Sequence, residues 1–256
     1  MDPFGFAPLA SLLFAVYAAV TGFAHMIEPA FGSASAAVAI VALTLAVRTI
    51  LIPVGFAQVK ADVVRRRLAP ELARLRRRYS SNPQVLQRKT ADLYRSEGAN
   101  PFAGVLPTMA QVPVVSVVYA LFVHPMIAGH ANVLLSASVL GAPLGSSLVS
   151  TIGAASFVGG PLAAILPSIA VFAVLLTIMA LIAGLTRRTA IRSEAEQTLD
   201  LVTPAPRATA AMSWLPFITV LFAAVVPLAA TIYLTVTTAW TFVERALIRR
   251  RLMLAG

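Results

Sequence analysis

The chain has 256 residues, 59% of them apolar and only 12% charged, with a mean hydropathy of +0.85, whereas soluble domains average about half apolar and about a quarter charged. This balance excludes a water-soluble globule and makes the bilayer the solvent for most of the chain. No cysteine occurs, which excludes disulfides, thiolate metal sites, cysteine nucleophiles and a lipidated cysteine. The formal net charge of +10 matters less by its size than by its placement.

Residues 6–28 come first. Larger apolar side chains at Phe6, Leu9, Leu12, Leu13, Val16, Tyr17, Val20, Phe23 and Ile27 recur at helical spacing, and Ala10, Ser11, Ala18, Thr21, Gly22 and His25 occupy the opposite face. The asymmetry predicts a helix lying along the outer membrane interface, although the length also suffices for a sixth span. Ala34-Ser35-Ala36 has the form of a leader cleavage site, but Asp2 and the lack of a basic residue ahead of the apolar stretch argue against a cleaved leader.

Five further stretches approach the roughly 20 apolar residues that cross a bilayer: 36–57, 102–123, 161–186, 209–225 and 226–243. The last two are separated only by a turn near Pro227 and read as a transmembrane hairpin. Nineteen of the twenty Lys and Arg lie in residues 58–100, 187–208 and 245–251, and residues 1–47 and 124–186 contain none. Cytoplasmic loops carry the Lys and Arg excess. Five spans put all three basic segments on that side if the N-terminus is outside and the C-terminus cytoplasmic.

Between the first two spans, residues 58–100 read as a cytoplasmic helical hairpin. Val59, Val63, Leu68, Leu72, Leu75 and Tyr79 form an apolar stripe, interleaved with Arg65, Arg66, Arg74, Arg76, Arg77 and Arg78. Asn82 as cap and Pro83 at the first helical position begin a second helix, which Gly98 ends. A solvated basic loop accounts for this pattern, and so does a surface contacting anionic lipid, ribosomal RNA or a nascent chain.

Arg48 is the most informative residue. Inside a continuous helix over 36–57 it would lie about 15 Å from either interface at about 1.5 Å per residue, too deep to snorkel fully. Exposing it to lipid would cost about 2.5–3.5 kcal/mol on insertion scales. None of the five spans contains Asp or Glu, so a hydrated cavity is the expected environment, with backbone carbonyls as the structural alternative. Thr44, one turn earlier, extends the polar stripe. Gln111, Thr177, Tyr233, Thr235, Thr237 and Thr238 are the other polar residues singled out within spans, although membrane threonines commonly bond their own helix. Pro107 and Pro113 predict a kinked second span. His25, His124 and His130 are scattered without ligand spacing, and no metal, cofactor or nucleotide-binding motif is present. No span holds a His, Asp, Glu or Cys to serve as base or nucleophile, which argues against an enzyme.

Thr44-x-x-x-Arg48-x-x-x-x-Pro53 resembles the first core helix of the YidC/Oxa/Alb membrane-protein insertases. Asn100-Pro101-x-x-Gly104-x-Leu106-Pro107-x-x-x-Gln111-x-Pro113, with Tyr119 beyond, resembles the second. Met212-x-x-Leu215-Pro216-Phe217 and Pro227-x-x-x-x-x-Tyr233 are similar to the last two. The likeness covers roughly residues 36–125 and 209–250, in the family's order. The chain departs from the family's pattern at Val105, Ala229 and Thr237-Thr238, and residues 124–160 match little of it.

The resemblance implies an all-α fold of five transmembrane helices around a hydrophilic groove open to cytoplasm and lipid, with Arg48 as its central charge and Thr44, Gln111 and Tyr233 along its wall. It further implies insertion of nascent membrane-protein clients, driven by hydrophobic partition; eighteen Arg against two Lys, with abundant Ala, point to a GC-rich bacterial genome and so to a bacterial plasma membrane. Docking of clients or the ribosome would fall to the basic hairpin, and a Sec-type translocon is a further expected partner. A small-solute transporter or channel, with Arg48 as an anion site, is the alternative, against which stand the lack of an internal repeat and the single charge.

Overall fold

A computed structural model describes residues 7–100, 105–127, 130–158, 162–199 and 213–254. The chain is predominantly helical: α1 (Ala7–Phe31), a 3-10 turn (Gly32–Ala34), α2 (Ser35–Ile50), α3 (Ile52–Arg78), α4 (Pro83–Ser96), α5 (Val105–Val123), α6 (Val133–Ser136), α7 (Leu148–Val158), α8 (Leu162–Leu199), α9 (Leu215–Val225) and α10 (Leu228–Leu254). Two small antiparallel hairpins, β1–β2 (Met126–Ile127, His130–Ala131) and β3–β4 (Ser138–Val139, Ala142–Pro143), flank α6. Two apolar helical stretches, Ala10–Ile50 and Ile165–Arg192, are long enough to cross a membrane, and α9 is a shorter apolar helix.

The chain divides into two compact units, one of Met1–Thr49, Pro113–Arg187 and Trp214–Thr241, the other of Ile50–Val112, Arg188–Ser213 and Phe242–Gly256. The first unit is organised by small residues. Ala36, Ala37, Ala39 and Ile40 of α2 are buried in one cluster with Val117, Ala120, Leu121 and Phe122 of α5, Phe172 of α8, and Leu228, Ala229 and Ala230 of α10. Alanines let helix backbones approach closely where water supplies no driving force between helices. Ala229 is fully buried, and its N–H donates to the Leu144 carbonyl at 2.9 Å.

This unit is apolar outside as well as inside. On α8, Ser168, Phe172, Met179 and Ala183 turn inward, whereas Leu166, Val174, Ile178, Leu181 and Leu185 are exposed; α9 likewise exposes Ile218, Leu221, Phe222 and Val225. Leaving such side chains in water rather than burying them costs about 1.5–3 kcal/mol each, so these faces belong in lipid. The large-residue face of α1 is split in the same way, with Leu13 and Val20 buried and Leu12 and Phe23 exposed.

Proline and threonine decide where the membrane helices stop. The stretch 36–57, read from sequence as one helix, breaks at Leu51 (φ −86°, ψ 1°). Pro53 has no N–H for the carbonyl of Thr49, which interrupts the α2 ladder, and it sits in the first turn of α3, where that N–H is not needed. At the other end of the chain Val226 is extended ahead of Pro227, and the Thr231 hydroxyl closes the turn by donating to the Ala223 carbonyl at 2.7 Å. Two helices outrun their apolar stretches: α8 continues past Thr186 to Leu199, and α10 past Val243 to Leu254. Arg, Glu, Gln and Ala in those extensions end the hydropathy without ending the helical propensity.

Residues 124–127 and 130–158 are held in large part by side-chain to backbone hydrogen bonds. Buried Asn132 donates from Nδ2 to the carbonyls of Leu121 (2.7 Å) and His124 (3.0 Å), and its Oδ1 accepts from Leu134 N–H at 3.1 Å. Ser147 and Ser150 cap α7 reciprocally. Tyr17 of α1 accepts from Val133 N–H at 3.0 Å. In the β3–β4 turn Leu140 has φ +50° and Gly141 φ +82°. A left-handed conformation suits glycine but costs a leucine about 1–2 kcal/mol.

In the second unit α3 packs on α4. Val59, Leu68, Tyr94 and Ile248 are its buried apolar residues. Asn82 caps α4 by accepting from Val85 N–H at 3.2 Å with Pro83 next in line, and Gly98 (φ +60°) takes the left-handed position that ends it.

Candidate functional site

Arg48 stands in the last turn of α2 and is half-buried. This corrects its expected place: it lies two residues from a helix end and not in the middle of a continuous 36–57 helix, because the Pro53 break ends α2 at Ile50. A cation in a last turn is favoured by about 0.3–1 kcal/mol through the helix dipole. Its guanidinium lies within electrostatic reach of the Tyr233 hydroxyl on α10.

Tyr233 is buried, with its ring tilted 46° against Phe122 at 5.9 Å between centroids. Thr44 is buried as well, and its hydroxyl donates to the Ile40 carbonyl of its own helix at 2.7 Å. Arg48, Thr44 and Tyr233 therefore fall in one unit, combining a cation, a phenol and a self-satisfied hydroxyl. Gln111 belongs to α5, and its side chain is outside the described residues.

Sequence reasoning left out Trp240. One and two turns beyond Tyr233 on the same face of α10 come Thr237 and Trp240. The Trp240 indole Nε1 is shielded from solvent and has no acceptor among the described residues. The Tyr233 hydroxyl approaches Thr237 without completing a hydrogen bond to its Oγ1, which is also shielded. Unmet donors of this kind are uncommon in protein interiors. The spacing 233, 237, 240 was visible in the sequence, but an indole at a membrane position ordinarily reads as packing.

The other threonines of α10 donate inward: Thr235 to Thr231, Thr238 to Leu234 and Thr241 to Thr237 carbonyls. These hydroxyls lower the hydropathy of α10 without leaving protons unsatisfied.

In the second unit, Arg65, Arg74, Arg76, Arg77 and Arg78 of α3 are exposed and Arg66 is half-buried. Arg67 pairs with Glu97, and Arg78 lies 5.7 Å from the centre of the Tyr79 ring. Arg249 meets Asp62 at 3.9 Å. Burial, chiefly, and the neighbouring Arg66 and Arg245 push its pKa below the ordinary guanidinium value against the opposing pull of Asp62. A methyl group at Gly55 would collide with the Glu244 carboxylate, so α3 and this end of α10 meet at glycine distance. Among the described residues no group of three His, Asp or Glu could hold a metal ion.

Residues 26–254 match the family model described as 60Kd inner membrane protein. The chain belongs to the YidC/Oxa/Alb family. It is similar to the membrane protein insertase YidC of Clostridium perfringens, with 30% identity over 115 residues, 45% of this chain and 48% of that protein. The YidC insertase of Oceanobacillus iheyensis is 34% identical over 97 residues, 36% of this chain and 38% of that one. An inner membrane ALBINO3-like protein 2, chloroplastic, of Chlamydomonas reinhardtii is 40% identical over 76 residues, 30% of this chain and 18% of that protein. The aligned segments thus span less than half of each relative. As a YidC/Oxa/Alb protein the chain is a multi-pass membrane protein, and this family's insertases are not enzymes.

Proposed function

We propose that this chain inserts and helps fold integral membrane proteins in a bacterial plasma membrane, with five spans, an outer N-terminus resting on an interfacial α1, and a cytoplasmic C-terminus. The observation that carries the reading is Arg48, a half-buried cation within electrostatic reach of Tyr233, in a unit that exposes large apolar side chains. A permanent charge in such surroundings needs hydration. A hydrated groove lined by Arg48, Thr44 and Tyr233 shortens the apolar barrier that a client's polar segment must cross. Arg48 attracts acidic residues in that segment while the client's apolar helix partitions into lipid, which drives insertion without nucleotide hydrolysis. The exposed arginines of α3 offer a docking surface for nascent clients or the ribosome, and a Sec-type translocon is a fitting neighbour.

The test is complementation of an insertase-depleted bacterial strain by the wild-type chain and by Arg48→Ala and Arg48→Lys, with expression checked by blot. Rescue by the wild type, retained in part by Lys and lost with Ala, is the expected result. A stably expressed wild type that rescues neither growth nor client insertion, in a host shown to accept a related insertase, would overturn the reading. Uptake of a labelled anion by proteoliposomes would then favour a transporter.

A further inference from the structure

The segment from His124 to Val158 contains no Lys, Arg, Asp or Glu, an unusual composition for a loop facing water. It also exposes large apolar side chains along its length: Met126, Val133, Leu140, Val149 and Ile152. Leu140 is 78% exposed although it occupies a left-handed position that a glycine or asparagine would hold at less cost. In water both the strain and the exposure of this leucine would be unfavourable. In lipid the burial of its side chain offsets the strain.

The backbone is prepared for such surroundings. Irregular structure is costly in an apolar medium unless its N–H and C=O groups are paired. Here Asn132 ties three backbone groups together, the β-hairpins pair others, and Ser147 and Ser150 cap α7. Ser146 and Leu144 carbonyls accept from Leu228 and Ala229 at the start of α10. Position follows from the neighbours as well. The helix α7 packs against α9, which likewise exposes Leu221, Phe222 and Val225. Only six residues lie between Val158 and Ile165, where the apolar stretch of α8 begins, so the two positions are at most about 25 Å apart. Polar groups gather instead in a cavity of about 320 Å³ lined by Thr21, His25, Glu28, Ser33, Ser136 and Ser138.

We infer that residues 124–127 and 130–158 form an uncharged cap immersed in the interfacial region of the bilayer, with Met126, Val133, Leu140, Val149 and Ile152 inserted among lipid chains. On the topology proposed above this is the outer leaflet; the immersion itself does not depend on the insertase reading.

The absence of cysteine makes the test direct. Leu140→Cys, Met126→Cys, Val149→Cys and, as a water-facing reference, Arg77→Cys are each labelled with a nitroxide in the purified full chain. Each is reconstituted in phosphatidylethanolamine and phosphatidylglycerol vesicles. Collision with oxygen, which concentrates in lipid, is compared with collision with a water-soluble nickel chelate. Labels at 126, 140 and 149 are expected to favour oxygen several-fold, and the label at 77 to favour nickel. Nickel accessibility at 126, 140 and 149 equal to that at 77 would overturn the inference. So would shielding from both reagents, which would mean a protein surface, such as a second copy, covers the patch. If Leu140→Cys disturbs its turn, the other two positions, in β1 and α7, carry the same test. Failed complementation with oxygen-exposed labels would sink the insertase reading and leave the cap in place.

Discussion

The two units hold positive charge in opposite ways. On α3, Arg65, Arg74, Arg76, Arg77 and Arg78 face solvent, where each is well hydrated and none is decisive. In the apolar unit Arg48 is half-buried, within electrostatic reach of Tyr233. A charge in water is screened within about 8–10 Å at ordinary ionic strength, whereas one shielded by apolar neighbours acts at greater effective strength. The proposed mechanism accordingly rests on the one arginine in the second setting and not on the five in the first.

That contrast can be broken most sharply at Arg48. Replacement by Ala should lower client insertion about tenfold or more, equivalent to at least about 1.4 kcal/mol, in a reconstituted assay with a client bearing acidic residues in its translocated segment. An equal loss for a client without them would detach the effect from charge attraction. Asn132→Ala tests how far the apolar unit depends on internal hydrogen bonds. It strands two carbonyls and an N–H and should cost about 3 kcal/mol of stability, read as a fall in the thermal midpoint in detergent. Tyr233→Phe keeps the ring contact with Phe122 and removes the hydroxyl, so insertion should fall about threefold with stability changed by less than about 1 kcal/mol. In the basic unit Asn82→Ala should cost about 1 kcal/mol through the lost cap, seen as faster amide exchange in the first turn of α4. Arg76→Ala should change insertion by less than about twofold, since exposed charges contribute about 0–1 kcal/mol each. A larger effect there would mean that the docking surface is made of individual arginines and not of their sum.

Local chemistry was the legible part of the sequence. The Asn82-Pro83 start of α4 and the turn at Pro227 follow from residues that act on their immediate neighbours. The hidden features depend on competition or distance. Pro53 was visible, yet hydropathy carried the 36–57 stretch across it, and the break it causes is what moves Arg48 to a helix end. Beyond Thr186 the loss of hydropathy signalled a membrane boundary but not a helix boundary, because Arg, Ala and Glu sustain the helix. Residues 124–158 have two-residue strands too short to show a period, and Asn132 acts through carbonyls up to eleven residues away. Of the site, Arg48 announced itself by chemistry alone, Thr44 proved to be bonded to its own helix, and Trp240 became conspicuous only once its buried N–H was seen without an acceptor.

The threonines of α10 have a consequence for what the helix can offer a visitor. Each hydroxyl proton of Thr235, Thr238 and Thr241 is committed to a carbonyl one turn back, so these side chains keep oxygen lone pairs and have no proton to give. Their polarity is one-sided. Along this stretch of α10 the threonines can receive a further hydrogen bond and cannot give one, which makes the helix an acceptor on its threonine side.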